Sequence, residues 1–493
     1  MPILEIDGKK AEVEKGTNLI IAAQKAGVSI PHYCYHPSLK VVAQCRMCMV
    51  KIEGLPRVVP ACNITVDKDM KVYSDTDPEV KRIRNLVLEL LLVHHPTDCP
   101  VCPRCGECEL QNFTYTWGPE DKRFDGERRI KGYTRVSDRI LLYKERCVLC
   151  TRCVRFLRDF AGTGGISVTL RGQDSDLEIF PDKFVDNSNY TGNIIDFCPV
   201  GALVDEAMVY LPRAWRMKRV KTYCPLCERG CEIYAESWED RIVRIKAIDD
   251  TYNCETNIIC DVGRWQWYEK FLRDRVEDIL EIDDGVVKKI DTVSHGKTPS
   301  MLMTVRKQFE EYKYRKDIPE HFVKSVVSVL KGKNKIAFFV TPFATNQELE
   351  IISKLSYKLK SKVSIIPPEK GVSDMLLRES RAPNLRGCLN YFTIDEKVLK
   401  DRYDTVLCYS MGVELDSIPN CNNLILIDLR LEWLSRNNGT SKKILFFPAT
   451  TPYEKDGTYI NFEGRERNLK PVVVPLTTEK ELLTLVFKNL TIS

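Results

Sequence analysis

The chain has 493 residues, with 74 Lys and Arg against 69 Asp and Glu and a formal net charge of +5. This near balance, without a concentrated basic segment, argues against a nucleic-acid-binding surface as the main function. The chain is longer than one hydrophobic core supports, so about three to five domains are expected.

The sequence shows no pattern of membrane insertion or secretion. Residues 1–5 lead directly into a strand-like alternation, without a signal-peptide or transit-peptide pattern. The most apolar run, residues 86–93, is interrupted by Glu89 and is too short to cross a bilayer. We therefore expect a soluble, cytosolic chain that takes part in any membrane process only through partner proteins.

The 20 cysteines are the main chemical signal. Seventeen of them lie at or before Cys260, mostly in C-x2-C steps. Without a secretion signal the thiols are expected to stay reduced, which argues against disulfides. Their spacing predicts metal ligation instead.

Residues 1–78 alternate like strands, turn at Asp7-Gly8, and continue into a helix that Thr17 is predicted to cap and that ends near Gly27. A strand over 49–53 follows, and Cys62 is expected on another strand. This arrangement resembles the β-grasp plant-type ferredoxin, with the longer C-x10-C-x2-C-x13-C spacing found at the start of the large iron–sulfur subunit of respiratory NADH dehydrogenases. The resemblance implies a [2Fe–2S] cluster, with a four-cysteine zinc site as the alternative. Its ligands would be Cys34, Cys45, Cys48 and Cys62.

Residues 79–120 form a second predicted segment, in which a helix capped by Asp77 leads to two histidines and four cysteines. Cys99, Cys102, Cys105 and Cys108 alone would form an all-cysteine site for zinc or iron–sulfur. The pattern that includes a histidine resembles the one-histidine, three-cysteine motif of the same subunit, in which the histidine directly precedes a proline. That resemblance implies a [4Fe–4S] cluster with Cys105 as a bystander. Its ligands would be His95, Cys99, Cys102 and Cys108.

Residues 121–218 are predicted to hold one ferredoxin-like [4Fe–4S] cluster. A separate prediction concerns the polar stretch 109–146, which is expected to form loops or short strands. Three cysteines at C-x2-C-x2-C spacing are followed by a distant Cys-Pro, as in bacterial ferredoxins. A second cluster would need three more cysteines near residue 190, which the chain lacks. Arginines between the ligands, at 146, 152, 155 and 158, can offset the anionic cluster. The predicted ligands are Cys147, Cys150, Cys153 and Cys198.

Residues 219–272 carry C-x2-C-x3-C and a distant cysteine. They resemble the N-terminal [4Fe–4S] module of molybdopterin oxidoreductases. Val262 stands where that family often has a lysine between cluster and pterin, which weakens any case for pterin binding. A zinc ribbon with Cys254 as a ligand is the alternative. The resemblance implies the ligands Cys224, Cys227, Cys231 and Cys260.

Residues 273–493 alternate strands with helices, which predicts a parallel, doubly wound sheet. The expected elements are strands over 335–340, 363–366, 405–409 and 424–429 and a helix over 346–359. Two segments, 381–388 and 456–465, resemble motifs of the molybdopterin-enzyme body. The region is too short for a complete body, so we expect a reduced scaffold without pterin. Three cysteines there are interpreted as ordinary core or surface residues: Cys388, Cys408 and Cys421.

The fold class predicted for the whole chain is multidomain α/β and α+β. The four motifs, in this order, resemble the large iron–sulfur subunit (G-type or 75-kDa-type) of proton-translocating NADH:quinone oxidoreductase, respiratory complex I. The fourth motif favours a bacterial member. The resemblance implies electron transfer from a flavin-bearing partner through the [2Fe–2S], Cys147 and His95 clusters, with the Cys224 cluster off the route.

The resemblance also implies partners and a location. The partners would be a flavin- and NADH-binding subunit, a small [2Fe–2S] subunit, a downstream subunit with two [4Fe–4S] clusters and other peripheral-arm subunits. The chain would lie on the cytoplasmic side of the bacterial inner membrane. Neither a complete active site nor a flavin, NAD or molybdopterin site is expected, and Gly162–Gly165 is interpreted as a turn.

Two other functions fit parts of the sequence. An electron-input subunit of a hydrogenase or formate dehydrogenase shares the first motifs, but it would need a second ferredoxin cluster and further C-terminal motifs. A zinc-stabilised scaffold protein would use the same cysteines without electron transfer.

Overall fold

The computed structural model describes residues 1–121, 123, 132–180, 188–248, 257–290, 318–332, 335–412, 419–431, 441–473 and 478–491. They form two compact units. The first contains residues 1–217 and 246–261, and the second contains residues 218–245 and 262–493. Within the described ranges, no helix combines the length and apolar character needed to cross a membrane.

The first unit opens with a five-stranded mixed sheet in the order β2-β1-β7-β4-β5. Its first hairpin turns at Asp7 and Gly8, both with positive φ, as a two-residue hairpin loop requires. One helix packs its buried residues Leu19, Ala22 and Ala23 against the sheet. The elements are β1 Ile3–Ile6, β2 Lys9–Glu12, β3 Thr17–Asn18, α1 Leu19–Lys25, β4 Met49–Ile52, β5 Val59–Pro60, β6 Thr65–Val66 and β7 Met70–Tyr73.

Two local predictions for this sheet domain were wrong. Asn18, rather than Thr17, caps α1, because its side-chain oxygen accepts from Ile20 N at 3.0 Å, while the Thr17 hydroxyl donates to Glu14 O. Cys62 lies in a 3-10 turn over Ala61–Asn63 and not on a strand. The β4–β5 pairing ends at Pro60, and the chain then turns inward.

A long helix, α2 Pro78–His94, connects this sheet to the second cysteine segment. Asp77 caps it by accepting from Val80 N at 3.0 Å, with Pro78 in the first turn, as predicted. A second helix, α3 Glu109–Trp117, forms where loops or short strands were expected. Its aromatic and β-branched residues have low helix propensity, but tertiary contacts outweigh that preference: Phe113 packs on Tyr33 and Trp117 O accepts from Asn85.

The rest of the first unit consists of short elements around the third cysteine group. A three-stranded sheet has the order β12-β9-β8, and β10 pairs with β11 in a hairpin. The elements are β8 Tyr133–Arg135, β9 Ile140–Tyr143, α4 Arg152–Asp159, β10 Ile166–Thr169, β11 Asp176–Ile179, α5 Asn193–Phe197 and β12 Leu203–Asp205.

The second unit contains a three-stranded sheet in the order β13-β14-β15, a seven-stranded sheet and a final hairpin. Two of its elements include residues of the first unit, since β15 ends at Ala247 and α6 begins at Asp261. The elements are β13 Lys218–Tyr223, β14 Glu232–Trp238, β15 Arg241–Ala247, α6 Asp261–Trp265, β16 Leu280–Asp283, β17 Val286–Lys289, α7 Glu320–Lys331, β18 Ile336–Val340, α8 Asn346–Leu359, β19 Lys362–Ile365, α9 Leu385–Leu389, α10 Glu396–Lys400, β20 Tyr403–Tyr409, β21 Cys421–Asp428, β22 Lys443–Pro448, β23 Gly457–Ile460, β24 Glu466–Leu469 and α11 Glu479–Thr491.

The seven-stranded sheet has the order β17-β16-β22-β21-β20-β18-β19. Its last five strands are parallel, and β16 and β17 add an antiparallel edge. Numbered along the chain, the parallel strands follow the doubly wound order 2-1-3-4-5. The predicted parallel sheet is confirmed, because the strands from β18 to β22 pair in parallel. The strand β18 is buried along its whole length, and α8 has the predicted bounds.

A buried charge network lies where β18 and β20 end. Lys455 Nζ contacts Glu348 Oε2 at 2.9 Å and Glu479 Oε1 at 2.9 Å, and the hydroxyl of Tyr409 donates to Glu479 at 2.6 Å. Burial raises the pKa of Glu348 despite the nearby ammonium group. Burial alone would also raise the pKa of Glu479, but Lys455 and Thr450 hold it below its ordinary value.

Candidate metal centres

The first four predicted ligands converge. Side-chain hydrogen bonds link Cys34 to both Cys45 and Cys62, and another links Cys48 to Cys62. Cys34, Cys48 and Cys62 are each at most 1% exposed. The sheet positions two of them, since Cys48 directly precedes β4 and Cys62 follows its partner β5. The chain therefore brings four thiols together, as a [2Fe–2S] cluster requires.

The loop around Cys45 directs backbone donors towards these sulfurs. Ala43 and Arg46 have φ values of 48° and 57°, a left-handed conformation that costs free energy in residues other than glycine. Tyr33 N donates to Cys45 Sγ at 3.4 Å. The hydrogen bonds from Cys45 and Cys62 lower the pKa of Cys34, and the same hydrogen bonds raise the pKa of Cys45 and Cys62. The thiols therefore share protons, which a cluster would displace because its ligands are thiolates.

The second group follows the C-terminus of α2. His95 is the C-cap of that helix and is half-buried, while His94 is exposed. The next cysteines lie in tight turns, in which Cys102 N donates to Cys99 O at 3.2 Å and Cys105 N donates to Cys102 O at 3.1 Å. Burial raises the pKa of Cys99 and Cys102, and that of Cys108 to about 11.

Cys105 has its own side-chain contact in this group. Its sulfur accepts a hydrogen bond from Gln111 Nε2 at 3.5 Å, and Gln111 Oε1 accepts from Gly106 N at 2.9 Å. Gly106 has a φ of 85°, and an added Cβ would lie 2.5 Å from the Trp215 ring, so glycine is required there. Gln111 and Trp215 thus fix the loop at Cys105, a role consistent with a bystander cysteine. The choice between His95 and Cys105 as ligand stays a prediction.

The third group lines one small, enclosed cavity with apolar neighbours such as Leu177 and Val200. Leu149 and Thr151 have φ values of 50° and 60°, and Leu149 N donates to Cys147 Sγ at 3.4 Å. Burial raises the pKa of Cys147, Cys150 and Cys153, because a thiolate would be poorly solvated in this space. Its cysteines are Cys147, Cys150, Cys153 and Cys198.

Buried arginines connect the first group to the third. Arg155 Nη2 donates to Cys34 O at 2.5 Å and to Cys150 O at 3.2 Å. Arg152 Nη2 donates to Tyr35 O at 2.7 Å. Gln44 adds a hydrogen bond to Leu149 O at 3.1 Å. The backbones of the two ligand loops are therefore joined directly.

A similar set of contacts connects the third group to the second. Arg104 Nη2 donates to Cys198 O at 3.1 Å. Arg146 Nε donates to Asp98 Oδ2 at 3.0 Å, and both residues directly precede cysteines of their groups. An added Cβ on Gly201 would overlap Cys102 Sγ. Within the first unit, the third group thus contacts both of the other two.

Gly201→Ala is a direct test of this contact. The added methyl group would collide with the sulfur of Cys102, and overpacking of this kind costs about 1–3 kcal/mol. We expect the cluster of the second group to be lost or poorly occupied while the [2Fe–2S] cluster is retained. Iron analysis and electron paramagnetic resonance (EPR) of the same sample check this, with the [2Fe–2S] signal as the internal control. Full occupancy of both clusters would contradict it.

The fourth group is divided between the units. Cys224, Cys227 and Cys231 lie in the loop that joins β13 to β14, and Cys224 N donates to Cys231 O at 2.8 Å. Burial raises the pKa of Cys231 to about 11. In the second unit, the loop packs on the predicted 456–465 motif, whose Asn461 Nδ2 donates to Arg229 O at 3.2 Å.

Cys260 lies in the first unit. Its neighbours Ile259 and Asp261 are held by the segment near residue 190, where a second ferredoxin cluster would have its cysteines. Asn193 Nδ2 donates to Ile259 O at 2.7 Å, and its Oδ1 accepts from Ile259 N at 3.0 Å. Asp261 N donates to Asn189 O at 2.6 Å. The joint ligation of one cluster by Cys260 and the Cys224 loop stays a prediction. Cys254, the spare cysteine, lies outside the described residues.

The cysteine groups supply the donors of both kinds of site that the spacing predicts. Among the described residues, no three His, Cys, Asp or Glu side chains converge closely enough for a single metal ion. Thiolates are ligands of zinc and of iron–sulfur clusters alike, so the choice between them stays a prediction.

Sequence reasoning missed the residues that connect the groups. Arg152 and Arg155 were interpreted only as offsetting charge, and Arg104, Asp98 and Gly201 were not considered. Their proximity to cysteines along the chain was the available signal. Their partners lie far away in sequence, so spacing alone could not identify them.

Three family profiles match the chain, and each covers one of the first three groups. Residues 3–77 match the 2Fe-2S iron-sulfur cluster binding domain. Residues 84–123 match the NADH-ubiquinone oxidoreductase-G iron-sulfur binding region. Residues 137–204 match the ferredoxin-like domain of NADH-quinone oxidoreductase subunit 3.

Curated relatives match about half of the chain. The mitochondrial NADH-ubiquinone oxidoreductase 78 kDa subunit of Candida albicans is 36% identical over 265 residues, 52% of this chain and 36% of the relative. The 75 kDa subunit of Reclinomonas americana is 34% identical, over 58% of this chain and 41% of the relative. The G-type NADH-quinone oxidoreductase subunit of Rickettsia bellii is 37% identical, over 49% of this chain and 35% of the relative. The matched part thus spans about two fifths or less of each relative's length.

Among solved structures, an NAD+-reducing [NiFe]-hydrogenase in the H2-reduced state aligns with a TM-score of 0.39 and 27% identity, over 43% of this chain and 90% of that chain. A likeness of this size carries no argument about fold or function. The family profiles do, because they coincide with the three connected cysteine groups. Over the part that carries those groups, the chain is similar to the G-type, or 75–78 kDa, subunit of NADH-quinone oxidoreductase.

Proposed function

We propose that the chain is an electron-transfer subunit of an NADH:quinone oxidoreductase. The observation that carries this proposal is the direct connection of three cysteine groups within one unit, in the spatial order first, third, second. Electron transfer over protein distances needs redox centres that are close and rigidly held, and the buried arginine contacts supply both conditions.

The proposed cofactors are one [2Fe–2S] and three [4Fe–4S] clusters, which accept and release single electrons when bound. The first is held by Cys34, Cys45, Cys48 and Cys62. The others have the ligand sets His95, Cys99, Cys102 and Cys108; Cys147, Cys150, Cys153 and Cys198; and Cys224, Cys227, Cys231 and Cys260.

The residues of the chain set the conditions for this transfer. Buried cysteines keep water away from the centres, backbone N–H groups donate to the sulfurs of Cys45 and Cys147, and buried guanidinium groups place positive charge between the sites. Positive charge and hydrogen bonds to sulfur favour the reduced state, which carries one more negative charge. No proton transfer by the protein is required.

Electrons would enter at the [2Fe–2S] site from a flavin-bearing partner, cross the Cys147 site and leave from the His95 site to a partner with further [4Fe–4S] clusters. The other partners would be a small [2Fe–2S] subunit and the remaining peripheral-arm subunits. The chain would lie peripherally on the cytoplasmic side of a bacterial inner membrane. Residues 273–493 would serve as a reduced, molybdopterin-oxidoreductase-like scaffold without pterin.

Cys260→Ala tests the proposed role of the fourth cluster. Because this cluster lies off the proposed route, the substitution should impair assembly and stability of the complex more than electron flow in complexes that do assemble. The measurement is turnover per assembled complex, beside the yield of complex. Normal assembly with blocked electron flow would contradict a structural role.

Metal analysis and EPR of the whole chain test the proposed function. Anaerobically purified chain should be brown, with about fourteen iron and fourteen sulfide atoms for one [2Fe–2S] and three [4Fe–4S] clusters. Graded reduction should give separate signals of the two cluster types. A colourless chain that binds zinc would overturn the proposal in favour of a scaffold protein.

A further inference from the structure

Helix α4 carries three arginines at successive turns, and they lie in different surroundings. Arg152 and Arg155 are 5% and 3% exposed, whereas the Arg158 side chain is 63% exposed. We propose that Arg155 is a positioning residue that holds the [2Fe–2S] ligand loop against the Cys147 ligand loop and sets the reduction potentials of both clusters. This inference rests on the proposed function, because it requires both clusters.

The hydrogen bonds of Arg155 support the positioning role. A single atom, Nη2, donates to the carbonyl oxygens of Cys34 and Cys150, which are 121 and 5 residues away. Nη1 donates to Lys40 O at 2.7 Å, and Nε donates to both oxygen atoms of Thr151 at 3.2 Å. The planar guanidinium group therefore ties two ligand loops and its own helix to one rigid point.

The charge of Arg155 supports the effect on potential. Its hydrogen bonds go to carbonyl and hydroxyl oxygens. Asp159 interacts with it electrostatically but forms its ion pair with Arg158, and among the described residues no carboxylate lies at ion-pair distance from Arg155. Arg152 differs, because Glu109 lies 3.4 Å from its Nη1. A guanidinium group stays protonated, so Arg155 keeps a buried positive charge beside ligands of both clusters.

The consequence for electron transfer follows from this shared position. With both clusters bound, one electron would pass from the reduced [2Fe–2S] cluster to the oxidised Cys147 cluster, while Arg155 would neither gain nor lose a proton. A positive charge between the two centres stabilises the added electron on either one, since the effective dielectric constant is low there. Arg155 should therefore raise both potentials while changing the difference between them less.

The experiment is an EPR-monitored redox titration of the full, anaerobically purified chain. Arg155→Gln should lower each midpoint potential by at least about 59 mV. For one electron this shift is a tenfold decrease in the equilibrium constant for reduction. Arg155→Lys should give smaller shifts of the same sign, because one ammonium group cannot reproduce the planar fork. Arg158→Gln, on the same helix, is the matched control and should leave both potentials unchanged.

The outcomes separate this inference from the proposed function. A wild-type chain without the two cluster signals would overturn the proposed function itself. If wild type has both clusters, unchanged potentials in Arg155→Gln, a shift of only one cluster, or equal shifts in Arg158→Gln would overturn the inference. If Arg155→Gln loses a cluster, the potentials of Arg155→Lys become the deciding measurement. Unchanged potentials or loss of a cluster in Arg155→Lys would show that Arg155 serves only the folding of this region.

Discussion

His95→Cys is expected to keep a [4Fe–4S] cluster in the second group and to lower its potential. A thiolate in place of a neutral imidazole adds one negative charge to the ligand set and disfavours the reduced state. Two such exchanges separate Rieske centres from plant-type ferredoxins by about 250 mV or more. A single exchange should therefore lower the potential by on the order of 100 mV, measured by EPR-monitored redox titration.

Two matched variants control this experiment. His94→Ala removes the neighbouring exposed histidine and should leave the cluster and its potential unchanged. Cys105→Ser removes the cysteine that Gln111 contacts and should retain the full iron content. Loss of the cluster in Cys105→Ser, with an unchanged potential in His95→Cys, would show that the site has four cysteine ligands.

Lys455→Met is expected to destabilise the second unit by about 3–5 kcal/mol. Methionine has a similar volume, but it leaves the buried carboxyl groups of Glu348 and Glu479 without their cation. These side chains are at most 4% exposed, so water cannot replace the lost partner. Hydrogen exchange of amides in β18 and β20 measures the opening free energy of this region without assuming two-state unfolding of the whole chain.

A surface ion pair on α8 supplies the matched control. Lys354→Met removes a cation that lies 2.6 Å from Glu350, with both side chains more than half exposed. Its cost should be about 0.3–0.5 kcal/mol. Adding Glu479→Gln to Lys455→Met should recover part of the lost stability, since it removes one uncompensated charge. Equal effects of Lys455→Met and Lys354→Met would show that the buried network does not stabilise this unit.

Secondary structure was predictable where periodicity or capping was strong. The helix α8 was predicted with its observed bounds, because its apolar residues repeat at helical spacing. The structure adds a capping box of Thr345 and Glu348 at its start. The helix α3 was missed because contacts with Tyr33 and Asn85, distant in sequence, decide its conformation. The cap of α1 was assigned one residue early, since neighbouring Thr and Asn are both good capping residues.

The sequence by itself determined the chemical inventory: which thiols lie at cluster spacing, and that a parallel α/β region follows them. Ligand spacing is local, so it can be read from one stretch of chain. Only the tertiary structure decided that the third group contacts both the first and the second. Those contacts join Cys34 to Arg155 and Arg104 to Cys198, across 121 and 94 residues, and packing brings such distant residues together without leaving a pattern in the sequence.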